Sequence, residues 1–330
     1  MGAEQAELKG EPVGNLESKW CALAVFLAAY LLFPCFPQVR RAMAGGMPAL
    51  AAHIHSRDDD YPVQDRETLR RSFPLTGAAA HKSLAVDNVF GSIEVTGTDG
   101  NQVELVVNKT LRAETKEKLD LARKEVTLDV TDQPDSLKLY VNGPFRCQCD
   151  ICCNGCNRCN GVHWDNPGYV VIWDFQLQVP HNMDVDLRTV NSGHIRVADI
   201  TGAYTVRNVN GTIEMTNVAG SGTARTVNGG VKVTFRENPR EYSSFATVNG
   251  AVDLYFSRNL SADFRLKTFN GGIYTDYPVT SLPASAVEER HEGSKVVFRA
   301  NRYTGARVGA GGPEIKIETL NGDIRILEKP

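Results

Sequence analysis

The chain has 330 residues, of which 42% are hydrophobic and 23% are charged, and its formal net charge at pH 7 is −3. This length and apolar content suffice for one large β domain or for two domains with buried cores. The nearly balanced charge and the lack of a basic stripe with interleaved aromatic residues exclude nucleic-acid binding as an expected function.

The N-terminal region is predicted to be a tail followed by a membrane segment. Residues 1–19 are polar and slightly acidic, which predicts a disordered tail. Residues 20–37 contain the apolar run WCALAVFLAAYLLFPCF, near the lower length limit for a spanning helix. A retained anchor is the favoured interpretation, and a signal peptide cleaved after residues 49–52 or a buried helix are the alternatives. Residues 38–70 predict a linker.

Residues 71–182 are predicted to form an N-terminal β region. Residues 83–95 are a divergent copy of the repeat described below, with Phe90 at the position of its asparagine. Residues 114–124 are rich in helix formers, which predicts a short surface helix. The alternating runs on either side of this helix predict strands.

A cysteine-rich insertion at residues 146–164 interrupts this β pattern. Its six cysteines are Cys147, Cys149, Cys152, Cys153, Cys156 and Cys159. Outside the cytoplasm thiols oxidise, so a loop held by disulfides and without a cofactor is the favoured interpretation. A zinc or other soft-metal site is the alternative, because thiolates at two-residue spacing bind such ions, and its ligands would come from Cys147, Cys149, Cys153, Cys156 and Cys159. A redox-active role is the third interpretation.

Residues 183–330 are predicted to form a β-repeat domain, because one short phrase, Thr-Val-Asn-Gly or a close variant, recurs through them. The asparagines of the six copies are separated by 19, 18, 21, 21 and 51 positions, and they are Asn191, Asn210, Asn228, Asn249, Asn270 and Asn321. A period near 20 residues indicates stacked supersecondary units. Aligned on the asparagine, the copies show apolar columns separated by polar residues, which predicts a strand, a corner and a second strand in each copy.

Two architectures are consistent with this pattern. A meander of hairpins would explain each copy alone, because Asn-Gly is a strong hairpin signal. A solenoid-like stack would instead place each copy on its predecessor, about 4.8 Å away. An outward column that alternates in sign favours the stack, and it consists of Arg196, Glu214, Lys232 and Asp253, followed in the chain by Tyr274 and Arg325. The predicted fold is all-β, a β-solenoid-like stack of about 20-residue Asn-Gly repeats preceded by an N-terminal membrane helix.

Three arginines form a second outward column, and they are Arg188, Arg207 and Arg225. On stacked copies these guanidinium groups would lie in a line suited to an acidic polysaccharide, a phosphate-bearing lipid or a peptidoglycan carboxylate. The alternative is a solvated face whose arginine tails cover apolar surface. The threonine and asparagine columns predict side-chain hydrogen bonding along the stack.

Catalytic signals are not found in the sequence. It contains no nucleophile elbow, zinc-protease motif, phosphate-binding loop or dinucleotide fingerprint. Glu214 and Asp253 would lie on either side of Lys232, which is the arrangement of ion pairs and not of a catalytic acid and base. We therefore expect the protein not to be an enzyme.

Several of these motifs resemble a known family. The runs VVIWDFQLQVP, DVDLRTVNSGHIRV and GAGGPEIKIETLNGDIRIL and the repeated T-V-N-G-x-I resemble bacterial β-strand-repeat proteins of the cell envelope, a family of proposed adhesins of unassigned function. The resemblance covers residues 83–327. It implies an all-β, solenoid-like domain outside the cytoplasmic membrane, without catalytic residues, and the cysteine-rich insertion departs from the family pattern.

The resulting hypothesis is a non-enzymatic, membrane-associated envelope protein whose main domain lies in the periplasm or outside the cell. It would act as an adhesin-like binding protein or scaffold through an extended β-repeat surface. Its expected partner is an envelope component, such as an acidic polysaccharide or another membrane protein, and residues 20–37 would contact the membrane. The alternative is a metal-binding or redox-responsive sensor that uses the cysteine-rich loop.

Overall fold

The computed structural model describes residues 61–75, 82–146, 167–283, 288–292, 295–299 and 303–329. Within these ranges the chain forms one helix, α1 (Lys116–Glu125), and 23 strands. The strands are β1 (Val63–Pro74), β2 (Ser83–Asp87), β3 (Ile93–Thr98), β4 (Gln102–Ala113), β5 (Thr127–Asp132), β6 (Ser136–Asn142), β7 (Tyr169–Pro180), β8 (Asp184–Arg188), β9 (Ile195–Ala198), β10 (Tyr204–Arg207), β11 (Ile213–Val218), β12 (Gly222–Arg225), β13 (Val231–Phe235), β14 (Ser243–Ala246), β15 (Val252–Phe256), β16 (Ala262–Lys267), β17 (Ile273–Thr275), β18 (Val279–Leu282), β19 (Glu288–Glu292), β20 (Lys295–Arg299), β21 (Thr304–Val308), β22 (Glu314–Glu318) and β23 (Ile324–Glu328).

The repeats build two sheets that enclose one core. Each copy contributes the strand before its asparagine to sheet B and the strand after it to sheet A. Sheet A has the strand order β1-β4-β7-β3-β9-β11-β13-β15-β23-β17. Sheet B has the order β18-β21-β16-β22-β14-β12-β10-β8-β2-β6-β5. β19 and β20 pair with each other as an antiparallel hairpin.

Equivalent residues of neighbouring copies lie side by side in parallel register. Val206 of β10 pairs with Leu187 of β8 and with Ala224 of β12, and all three are fully buried. Because successive side chains of a strand point to opposite faces, the same alternation turns every apolar column towards the core. Burial of one such large side chain contributes about 1.5–3 kcal/mol before the entropy of folding is counted. Further along the core, the rings of Phe235 and Phe256 stack with centroids 4.8 Å apart.

Side-chain hydrogen bonds join the asparagine corners, as the sequence predicts. Asn210 Nδ2 donates to Asn191 Oδ1 at 2.7 Å, and the same contact is repeated along the stack at 2.7–2.8 Å. The threonines of the repeated phrase donate to glycine carbonyls of the neighbouring copy; Thr226 Oγ1, for example, lies 2.8 Å from the Gly211 oxygen. Phe90 occupies the asparagine position at one end of the ladder and forms a bridge to Asn191.

The order of the copies in space differs from their order in the chain at one point. The ladder of corners runs through Asn191, Asn210, Asn228, Asn249, Asn321 and then Asn270. β22 lies between β14 and β16, and β23 lies between β15 and β17. The prediction that each copy lies on its predecessor is therefore wrong for the copy of Asn270, because the final copy inserts between it and the copy of Asn249.

Antiparallel strands and α1 lie at the end of the stack that is next to β2 and β3. β4 pairs antiparallel with both β1 and β7, and β5 pairs antiparallel with β6. α1 begins after Thr115, whose hydroxyl accepts a hydrogen bond from the Lys118 amide at 3.3 Å. Its buried residues, Leu119 and Ala122, face the core, so one narrow apolar face attaches the helix.

The fold-class prediction is wrong as stated, since it joined a uniform stack to an N-terminal membrane helix. Apart from the β19–β20 hairpin, the described strands form two mixed sheets, with antiparallel strands at both ends of sheet B and at one end of sheet A. None of their helical structure is long and apolar enough to cross a membrane. α1 has 10 residues, a length of about 15 Å against a hydrocarbon core of about 30 Å. The predicted tail and membrane segment, residues 1–19 and 20–37, lie outside the described residues.

Two predicted boundaries differ from the observed elements. β1 begins at Val63, inside the segment 38–70 that the sequence predicts to be a linker. β2 and β3 pair in parallel with β8 and β9, so both sheets continue across residue 183 without interruption. The helix predicted at residues 114–124 is found as α1.

Candidate binding surface

The three arginines of the second outward column lie in register on adjacent strands of sheet B. Arg207 of β10 pairs with Arg188 of β8 and with Arg225 of β12. Each follows a fully buried residue in its strand, so the two-residue period turns its side chain to the outer face. Neighbouring strands are about 4.8 Å apart, so three guanidinium groups are attached to the sheet across about 10 Å.

Carboxylates lie at one end of this arginine column. Arg188 Nε donates to Asp186 Oδ1 of the same strand at 3.0 Å. Asp87 of β2 is the next residue in register, and it accepts a hydrogen bond from Arg146 Nη1 at 2.9 Å. Two carboxylates, those of Asp186 and Asp87, therefore lie beside Arg188 at this end of the column. Neither carboxylate was predicted from the sequence, although Asp186 is two residues from Arg188 and hence on the same face of its strand.

The other end of the arginine column, at Arg225, contacts a hydroxyl group. Arg225 Nη2 donates to Ser244 Oγ at 3.3 Å, and its Nε is buried without a hydrogen-bond partner among the described residues. Within the same part of the chain, no carboxylate forms an ion pair with Arg225. A neutral hydroxyl leaves the guanidinium charge uncompensated, and an anion that displaced this contact could accept a forked pair of hydrogen bonds.

A second cationic group lies further along the same outer face. Lys267 and Lys316 lie over the ring of Tyr303, with their Nζ atoms 5.3 Å and 5.1 Å from its centroid. The Tyr303 hydroxyl donates to Glu318, the residue in register with Ala246 and Lys267. Burial and this hydrogen bond raise the pKa of Tyr303. Tyr303 therefore stays protonated at neutral pH. The two lysines have the Glu318 carboxylate near them.

The charged side chains on the outer face of sheet A form ion pairs with one another. Residues in register on six adjacent strands alternate in sign, and they are Glu94, Arg196, Glu214, Lys232, Asp253 and Arg325. Arg196 lies 3.0 Å from Glu94 and 3.7 Å from Glu214. Hydrogen bonds from His194 and Arg196 hold the pKa of Glu94 below its ordinary value. The sequence predicts the four central members, but it misplaces Arg325, which the structure puts beside Asp253 and before Tyr274.

The cysteine ligands proposed from the sequence, Cys147, Cys149, Cys153, Cys156 and Cys159, lie outside the described residues. Within the described ranges, no three His, Cys, Asp or Glu side chains are grouped as metal ligands. The segment starts after Arg146, whose guanidinium lies over the Tyr140 ring at 4.3 Å and holds Asp87. The insertion therefore begins one strand away from Arg188. Disulfides and a zinc site both remain predictions for it.

Comparisons with protein-family models and with curated proteins find no match. Solved structures similar to the chain include a proposed cell adhesion protein from Clostridium sporogenes, 10% identical, with a TM-score of 0.39 over 80% of this chain and 100% of the other. A proposed adhesin from Bacteroides fragilis is 10% identical, with a TM-score of 0.34 over 80% of this chain and 97% of the other. A proposed lipid-binding protein from Parabacteroides distasonis is 8% identical, with a TM-score of 0.26 over 81% and 97%. No activity or ligand follows from likenesses at this level.

Proposed function

We propose that this chain is a non-enzymatic binding protein whose sheet B outer face holds an acidic polysaccharide outside the cytoplasmic membrane. The observation that supports the proposal is the in-register placement of Arg188, Arg207 and Arg225 on three adjacent parallel strands. Guanidinium groups pair with carboxylates in a forked geometry. A regular row of them suits a polymer that carries a carboxylate on successive units.

The rigidity of the face contributes to such binding. The backbones that carry the three arginines are held by two neighbouring strands each, so the spacing of their Cα atoms does not depend on the ligand. Prepositioned groups lose less entropy on binding than groups on a mobile loop. A polymer whose carboxylates contact several guanidinium groups at once also binds more tightly, because every contact after the first is intramolecular.

Support for a non-enzymatic role comes from the carboxylates of the described faces. Glu214 lies between Arg196 and Lys232, and Asp253 is paired with Arg325. Asp263 is held by Arg307 through two hydrogen bonds of 2.7 Å. These are ion pairs on exposed sheet faces, whereas a hydrolytic site needs carboxylates that converge on one cleft.

The test is binding of the full-length chain to polygalacturonate, with neutral dextran as the comparison polymer. We expect Arg207→Gln and Arg225→Gln to weaken binding by about tenfold each, and added salt to weaken binding to the unsubstituted chain. Arg196→Gln is the matched control, because it removes the same charge from the opposite sheet face.

Equal losses in all three variants would show that net charge alone is responsible and would contradict the proposal. Binding to vesicles with anionic phospholipid, but not to polygalacturonate, would assign the face to phosphate instead of carboxylate. Thermal unfolding of each variant serves to separate a loss of binding from a loss of folded protein.

A further inference from the structure

Among the described residues, β17 is the last strand of sheet A, and its outer edge pairs with no other strand. Two apolar positions of this last copy, Ile273 and Phe269, are exposed. Ile273 is 37% exposed, whereas Val252 and Ile324 in the same column are fully buried. Phe269 is 73% exposed, whereas its counterpart Val248 is fully buried. The core therefore reaches the surface at this edge.

The backbone at this edge lacks the partners that inner copies have. In inner copies the glycine amide of the corner donates to the asparagine carbonyl of the next copy, as Gly250 does to Asn321 at 2.9 Å. The amide two residues after this glycine, that of Val252, donates to the Asp323 carbonyl at 2.9 Å. Gly271 and Ile273 are the equivalent donors of the last copy, and neither has such a partner among the described residues.

Acceptors complete the pattern at the same corner. Asn249 Oδ1 accepts from Asn321 Nδ2 at 2.7 Å, and the Val248 carbonyl accepts from the Asn321 amide at 2.8 Å. Asn270 Oδ1 and the Phe269 carbonyl are the corresponding acceptors of the last copy, and they meet no donor within the described ranges. Two amides, a carbonyl and a side-chain oxygen thus present the hydrogen-bonding pattern of a missing parallel strand.

The molecule itself shows that such an edge accepts a strand that is distant in the chain. The corner of Asn321 docks on that of Asn249, which is 72 positions away, with the same contacts that consecutive copies make. Docking at such an edge follows the backbone pattern and the apolar alternation, and it does not require that the two copies be consecutive in the sequence.

We propose that β17 is a docking site for an extended segment of a partner polypeptide, which would pair with β17 as an additional strand of sheet A. The segment would place apolar side chains against Phe269 and Ile273 and an amide or hydroxyl donor against Asn270. Exposed strand edges are usually blocked by charge or proline, and none of the three residues of β17 is charged or proline.

A single extended segment fits this edge better than a second copy of the chain. Sheet B continues beyond the last copy as β21 and β18, whereas sheet A stops at β17. If two molecules of this chain paired through β17, the β18 and β21 strands of one molecule would occupy the same space as those of the other. This site is separate from the arginine column, and its test does not depend on the proposed function.

The probe is a fluorescent synthetic peptide with the sequence of residues 315–327, IKIETLNGDIRIL, which is the chain's own inserted copy. The control peptide carries Asn321→Pro, which removes the amide and the side-chain donor that would reach Phe269 and Asn270. We expect the full-length chain to bind the probe but not the control, and hydrogen exchange at the Gly271 and Ile273 amides to slow when the probe is bound.

Two neighbouring variants of β17 test the face that is recognised. Ile273→Lys places a charge on the core-facing side and is expected to weaken peptide binding by more than about tenfold. Tyr274→Lys adds the same charge on the opposite side of the same strand and is expected to leave binding unchanged. Both residues are exposed, so neither substitution opens the core.

Three outcomes would overturn the proposal. The first is equal binding of probe and control peptide, and the second is equal weakening by both variants. The third is a concentration-dependent dimer that protects the Gly271 and Ile273 amides without any peptide, which would make a second copy the occupant.

Discussion

Arg325 Nη1 lies 3.2 Å from Asp253 Oδ1, although 72 positions separate the two residues in the chain. The pair joins the inserted final copy to the copy of Asn249. It also continues the alternation of charge on the outer face of sheet A, because Arg325 stands between Asp253 and the uncharged Tyr274.

A double-mutant cycle of Asp253→Asn and Arg325→Gln should detect this pairing. We expect a coupling of about 0.2–1 kcal/mol in the free energy of unfolding, because both side chains are partly exposed. The cycle of Glu237 and Arg240 is the control, since the Arg240 side chain is 85% exposed and should give a coupling near zero. Equal couplings in urea unfolding would contradict a role of the Asp253 pair in placing the final copy.

The asparagine ladder should contribute more in its interior than at its end. Asn249 both donates to Asn228 and accepts from Asn321, whereas Asn270 only donates to Asn321. Asn249→Ala leaves the Asn228 Oδ1 and Asn321 Nδ2 atoms without these partners and is expected to cost about 1–3 kcal/mol. Asn270→Ala, at the exposed end, should cost less, and urea unfolding that ranks the two variants in the opposite order would contradict this assignment.

The close approach of neighbouring corners should make Gly229 intolerant of a side chain. Its φ is +151°, and a Cβ atom there would lie 2.4 Å from the Gly211 carbonyl oxygen. Because both the backbone conformation and the contact oppose it, Gly229→Ala is expected to lower stability by more than about 2 kcal/mol. Gly100→Ala is the control, as its nearest atom is 3.4 Å away, and similar melting temperatures for the two variants would argue against close stacking.

Acid should weaken the part of the stack that contains Asp263. Hydrogen bonds from Arg307 hold the pKa of Asp263 below its ordinary value. A carboxyl whose pKa is depressed in the folded state stabilises the protein above its unfolded pKa, and this contribution is lost as pH falls through the folded pKa. Asp263→Asn should therefore reduce the loss of stability between about pH 7 and about pH 3. Urea unfolding at both pH values measures this, and Glu237→Gln, which removes a carboxylate whose partner Arg240 is 85% exposed, is the control.

Much of the local structure could be predicted from sequence periodicity. Residues such as Val206 and Arg207 alternate in burial because a strand turns successive side chains to opposite faces, whatever its partner strand is. The column of Arg188, Arg207 and Arg225 follows from that alternation and from the repeat length. Asp87 could have been placed in the same column, because it stands three residues before Phe90 as Arg188 stands before Asn191. Arg146 comes from a loop and carries no repeat signal.

The sequence by itself determined the two-residue alternation, the Asn-Gly corners and the membership of each outward column, because these depend on local backbone geometry and a regular spacing. The tertiary structure alone decided the order of the last copies and the antiparallel strands at the ends. The copies present nearly interchangeable apolar columns, so their spacing along the chain does not specify which edge each one joins. Long-range contacts such as that of Arg325 with Asp253 distinguish these arrangements, and they exist only after the chain between them has folded back.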